Sequence, residues 1–99
     1  MIVVLAEEAE GDLEAIGAGI GHDSPRRAQS FVGELGARCL KLADQPRAYP
    51  LVPRYERLAV RRRPWRDHLI FYQIEEDRIV VVRILHGSQD YETLLFPDS

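Results

Sequence analysis

Ninety-nine residues, 45% hydrophobic and 29% charged, make one small globular domain, residues 1–99, and leave no room for a second fold. Thirteen basic against sixteen acidic side chains give a formal net charge of −3, and the single cysteine, Cys39, excludes an internal disulfide framework and any cysteine-based zinc site. No apolar run approaches the ~18 residues of a membrane span, and the start Met1-Ile-Val-Val-Leu-Ala-Glu-Glu8 lacks the basic opening of a signal peptide, so a cytoplasmic protein with no membrane partner is expected.

Ile2 to Ala6 is a short run with β-branched content, placed as a first strand. From Glu7 the apolar residues Ala9, Leu13, Ile16 and Ile20 recur three and four apart, which is helical spacing, with acids crowding the first turns where the helix dipole favours them. Gly17, Gly19 and Gly21 weaken the far end of that helix. Ser24-Pro25 then supplies an N-cap followed by proline at the first helical position, and Ala28, Phe31, Val32, Leu35, Cys39 and Leu42 mark one apolar face, predicting a second helix over Pro25 to Ala43. On that face Cys39 reads as a packed core thiol. Two consecutive helices suggest a helical hairpin.

Three prolines between Asp44 and Pro53 predict an extended connector over the surface. The period then changes to two, giving strands from Leu58 to Arg63, ended by Pro64, from His68 to Glu75 and from Arg78 to His86, the last two joined by the polar turn Glu75-Glu-Asp-Arg78. The nearly unbroken apolar run from Ile79 to Leu85 suits a central strand covered on both faces. The expected fold class is therefore α+β, in the order β-α-α-β-β-β, with the N-terminal helical hairpin packed on a small, mostly antiparallel sheet.

Charge is sorted along the chain. Residues 1–25 hold six acids and no base, residues 26–66 eleven bases and three acids, and residues 67–99 two bases and seven acids. Twelve of the thirteen bases are arginine, whose planar fork suits carboxylates and phosphates, so the middle of the chain invites an anionic partner unless its charges only solubilise a surface. Alternation places Arg61 and Arg63 with Ala59 on one face of their strand and Arg62 with Leu58 and Val60 on the other. If the helices cover the Leu58/Val60 face, Arg61 and Arg63 lie open. Trp65 stands at the following turn, as a lid over the core or as an anchor for a partner. Arg83 shares parity with Ile79, Val81 and Leu85 and needs a counter-charge such as Asp90 or Glu92, or else a partner's group. His22, His68 and His86 have no metal-ligand spacing, the glycines of Gly17-Ala-Gly-Ile-Gly21 follow a helix where a phosphate loop would precede one, and no cofactor or metal is expected. An enzyme built on this chain would have to work with Arg, His and Tyr, as in RNA cleavage, where the 2′-hydroxyl is the nucleophile.

Four segments resemble the RelE/ParE toxins of bacterial type II toxin–antitoxin modules, closest to the ParE branch. They are Ala9-Glu-Gly-Asp-Leu-Glu-Ala-Ile16, Ser24-Pro-Arg-Arg-Ala28, Leu69-Ile-Phe-Tyr72, and Val82-Arg-Ile-Leu-His-Gly87 with Asp90 after it. The resemblance implies a toxin held inactive in a hetero-oligomer by a ParD-like antitoxin, whose ribbon-helix-helix half reads DNA, so that the toxin meets DNA only through it. ParE-like members inhibit DNA gyrase, whereas RelE-like members cleave messenger RNA on the ribosome, typically with an arginine soon after the glycine that ends the last strand and with a late tyrosine. Here Gly87 is followed by Ser88-Gln-Asp90 and the tail is Leu94-Leu-Phe-Pro97, which favours gyrase inhibition without a catalytic residue. The alternative is a ribosome-dependent endonuclease using Arg61, Arg63, Arg83 or His86, and a third reading is a non-toxic binding module on the same fold. For the antitoxin, an amphipathic segment laid across Leu51, Val52, Arg54, Tyr55, Arg57, Arg61, Arg63 and Trp65 is expected, with apolar anchors giving affinity and the arginines selecting acids.

Overall fold

The computed structural model describes residues 1–98. Its elements are β1 (Ile2–Leu5), α1 (Glu7–Gly21), α2 (Pro25–Leu40) continued by a 3-10 turn (Lys41–Ala43), a second 3-10 turn (Glu56–Leu58), β2 (Arg61–Trp65), β3 (His68–Ile74), β4 (Arg78–His86) and α3 (Tyr91–Leu95). The strands form one sheet in the order β1-β4-β3-β2, in which β1 runs parallel to β4 and the other pairs are antiparallel. The α+β class and the order of the first six elements are as the periodicities predict, with α3 added at the end.

Local chemistry accounts for the helices. Glu7, Glu8 and Glu10 occupy the first turn of α1, at the positive end of its dipole. The Ser24 hydroxyl accepts the Arg27 N–H at 3.3 Å, and Pro25 opens α2 as expected. Gly17 faces α2 so closely that a Cβ there would stand 3.1 Å from Val32 Cγ2, which explains a glycine inside a helix. Together the helices close one face of the sheet over Ala9, Leu35, Cys39, Leu42, Ile70, Tyr72, Ile79, Val81 and Ile84. A second cluster, Val52, Val60, Phe71, Leu85 and Phe96, lies on the opposite face under the connector and α3.

The strand expected over Leu58–Arg63 is displaced. Glu56–Leu58 turns as a 3-10 helix, Ala59 adopts the left-handed conformation (φ 59°), and β2 begins only at Arg61 and continues through Pro64 to Trp65. Proline is tolerated because β2 is the sheet edge: Arg62 N–H already points outward, to Pro50 O at 3.0 Å, and two residues on the missing N–H of Pro64 would point the same way. The alternation of Arg61 and Arg63 against Val60 and Arg62 holds, but the helices cover the Arg61/Arg63 face and not the Val60 face. Arg61, Arg63 and Trp65 pair with Tyr72, Ile70 and His68 on the helix side, and Arg62 pairs with Phe71 on the other. In β4 a bulge sets Phe71 opposite Arg83 and Tyr72 opposite Val81, leaving Val82 unpaired. That extra residue moves Leu85 to the second cluster, away from Ile79 and Val81, and frees Arg83 from the parity expected of it. The connector is not wholly superficial either, since Val52 is fully buried and the Tyr72 hydroxyl donates to Pro46 O at 2.6 Å.

Candidate partner-binding surface

Arg83 is held by an acid 71 residues earlier in the chain. Its Nε and Nη2 donate to the two carboxylate oxygens of Asp12 at 2.8 and 2.9 Å, and one of those oxygens also accepts the Ile84 N–H at 2.9 Å. The position explains the bond: β1 gives its last backbone contact at Ala6 N–H to Val81 O, so β4 beyond that point lacks a neighbouring strand, and the α1 carboxylate satisfies the exposed donors. The anticipated partners of Arg83 are engaged elsewhere. Asp90 caps α3, accepting from the Thr93 hydroxyl at 2.7 Å and the Thr93 N–H at 3.3 Å, bonds that hold its carboxyl below the usual aspartate range. Glu92 accepts from Arg54 at 2.6 Å.

The arginine run divides three ways. Arg61 donates to Tyr49 O at 2.7 Å and Arg47 O at 3.4 Å, pinning the connector to the start of β2. Arg62 donates to the Tyr91 hydroxyl at 2.7 Å and so anchors α3. Arg63 lies over the Tyr49 ring, 5.0 Å from its centre, with its charge in an open cleft lined by Lys41, Asp44, Gln45, Ala48 and Tyr49. Trp65 is half-buried, 5.1 Å from the Phe31 ring, and is covered by the Arg66 guanidinium at 4.9 Å. Arg66 itself occupies the left-handed region (φ 52°), and it bonds Glu34 of α2 at 3.0 Å.

Of the other residues expected to meet a partner, Val52 is in the second core cluster, and Arg54 and Tyr55 grip the C-terminal segment. Tyr55 stacks on Phe96 at 4.1 Å, and Arg54 pairs with Glu92. Leu51 forms an isolated bridge to Arg61, and Arg57 is exposed on the 3-10 turn. The four residues assigned to a nuclease do not converge. Arg61 and Arg63 lie beside the connector, Arg83 is turned to Asp12 of α1, and His86 ends β4, where its Nδ1 accepts the Ser88 N–H at 3.1 Å.

His68 faces His86 across the sheet at 5.3 Å and Phe31 at 5.5 Å. Its buried Nδ1 has no hydrogen-bond partner among the described residues, and burial, with the neighbouring His86, lowers its pKa. Burial pushes the Cys39 thiol up to about 11, so it is a core group without thiolate character at neutral pH. Among the described residues no three His, Cys, Asp or Glu side chains cluster as a metal site would need, and no helix is long and apolar enough to cross a membrane. A largely apolar cleft of about 450 Å³ is lined by Leu5 of β1, Glu10, Leu13, Glu14 and Gly17 of α1 and Val32 of α2.

The residues that sequence reasoning missed are Asp12, Tyr49, Glu34 and Arg66. Arg66 was legible only as one charge among eleven, and nothing in the spacing of Asp12 and Arg83 links them. In comparison with known proteins, residues 3–91 match the family described as the ParE toxin of type II toxin-antitoxin system, parDE. A chain in the solved structure of the chromosomal ParDE TA system from P. aeruginosa superposes with a TM-score of 0.69 at 19% identity, over 87% of this chain and 95% of that one, a likeness of fold. No curated protein matches.

Proposed function

The chain belongs to the ParE toxin family of type II toxin–antitoxin systems, and from that premise we propose that it inhibits DNA gyrase by binding, with no catalytic residue of its own, and is neutralised by direct contact with a ParD-like antitoxin. The observation that carries the reading is the dispersal of the nuclease candidates. Arg61 is bonded to backbone carbonyls and Arg83 to Asp12, so neither fork is free to stabilise a phosphorane, and His86 on β4 is separated from Arg63 on β2 by the intervening strand β3. A surface made of engaged arginines suits recognition better than turnover.

In a supercoiling assay with purified gyrase, the protein is expected to reduce supercoiling and to trap the cleaved DNA complex, with both effects reversed by antitoxin. Full supercoiling at saturating protein removes the proposal. Codon-specific cuts in translated messenger RNA after induction would establish the endonuclease instead. DNA binding is expected of the toxin–antitoxin complex and not of the toxin alone, and the cytoplasm is where this reading places it.

A further inference from the structure

Two small clefts open where α2 and its 3-10 continuation approach β2 and the turn that follows it. One, about 220 Å³, is lined by Arg26, Arg27, Ser30, Phe31 and Glu34 of α2 with Ile20 of α1 and Arg66, and the other, about 260 Å³, contains Lys41 and Arg63. The Phe31–Trp65 contact joins α2 to β2 between them, and Arg38 lies one turn beyond Glu34. At 1.5 Å per residue the stretch of α2 from Arg27 to Lys41 measures about 20 Å. Six bases thus flank a seam in which the rings of Phe31, Trp65 and Tyr49 serve as beds for arginine. Arg66 stands 4.9 Å over Trp65 and 5.9 Å over Phe31, and Arg63 stands 5.0 Å over Tyr49.

Unlike Arg61 and Arg83, these two guanidiniums are held in place with donors left over: Arg66 keeps 58% of its side-chain surface exposed although it bonds Glu34. Its backbone conformation is one that glycine or asparagine adopts with less strain. Resting on the antitoxin reading above, we propose that the α2–β2 seam receives a carboxylate-rich, extended stretch of the antitoxin, with Arg63 and Arg66 as its two fixed anchors.

The seam fits a peptide better than a nucleic acid. Its rings are half-buried and covered by arginine, which leaves no platform for base stacking. Glu34 and Asp44 interrupt the positive charge, giving two separate cationic pockets where a phosphate chain would meet repulsion between them. Backbone pairing is blocked as well, because the outward positions of β2 carry a bond to Pro50 at Arg62 and no N–H at Pro64. Recognition here is by side chains, the bidentate arginine–carboxylate contact being the specific element.

The test compares the full chain with Arg63→Gln/Arg66→Gln, with Arg63→Lys/Arg66→Lys, and with Arg78→Gln at the hairpin tip as a control, each titrated with the cognate antitoxin over a range of salt. The glutamine pair is expected to weaken binding about tenfold or more and to flatten its salt dependence, the lysine pair to lose part of the affinity, and Arg78→Gln to lose none. Circular dichroism melting checks that each variant is folded. Antitoxin that fails to bind the unmodified protein overturns the functional reading and this proposal with it. Antitoxin that binds the glutamine pair as tightly as the unmodified chain overturns the seam alone. Displacement of antitoxin by a single-stranded oligonucleotide at physiological salt also overturns it, as a nucleic-acid surface.

Discussion

Two helices of 15 and 16 residues seal one face of the sheet by burying aliphatic side chains, whereas the other face is closed by a five-residue helix and a proline-rich connector. The small cover is held by mixed contacts: the Arg54–Glu92 ion pair, the Arg62 bond to the Tyr91 hydroxyl and the Tyr55–Phe96 stack. Exposed ion pairs contribute only ~0–1 kcal/mol, while each fully buried aliphatic side chain contributes ~1.5–3 kcal/mol. The helix face is therefore expected to carry global stability, and the α3 cover of the other face to open locally at lower free energy.

Leu35→Ala is the largest perturbation of the strong face, since Leu35 is fully buried, and should cost about 3 kcal/mol in a urea titration. Asp12→Ala should cost about 2 kcal/mol, because it leaves the Arg83 guanidinium and the Ile84 N–H without their acceptor; an unchanged urea midpoint would show that this clasp adds nothing to the helix face. Phe96→Ala should cost about 1–2 kcal/mol, limited by the ease with which the cover opens, and hydrogen exchange should speed up in α3 but not at Ile79 or Val81. Equal loss of protection on both faces would mean that they do not open separately.

The smallest expected effect is a pH dependence at His68. Its pKa is lowered in the folded state, so the unfolded chain binds the proton more readily, and the neutral imidazole's contribution is complete above about pH 6.5 and lost as the pH falls below it. The urea midpoint should fall between pH 7.5 and 5.5, and His68→Gln should flatten that fall. An identical slope in both proteins would show that the pair of imidazoles is idle.

Much of the fold was legible because it rests on local chemistry. Ser24-Pro25, the apolar stripe from Ala28 to Leu42 and the turn Glu75–Arg78 each act over a few residues, and each element stands close to its expected place. What failed was one parity carried across an interruption and one choice of face. In β4 the bulged residue Val82 resets the alternation before Leu85, so Arg83 parts from Ile79 and Val81, whereas in β2 the alternation of Arg61 and Arg63 against Val60 and Arg62 holds and the helices cover the face opposite to the one supposed. The candidate surface was less legible than the fold. An excess of arginine showed in the composition, but which forks stay available depends on Tyr49 O, Tyr91 and Asp12, all brought in by tertiary structure.

The parallel pairing of β1 with β4 bears on how the chain acquires its shape during synthesis. Ile2 to Leu5 find their partners at Arg78 to Val81, and Asp12 finds its own at Arg83 and Ile84, so β1 and α1 wait for a strand made more than 70 residues later. Loop closure over that separation slows folding relative to a helical bundle of the same size, and the apolar sides of α1 and α2 remain uncovered meanwhile. A nascent chain thus cannot complete its sheet until β4 has been made.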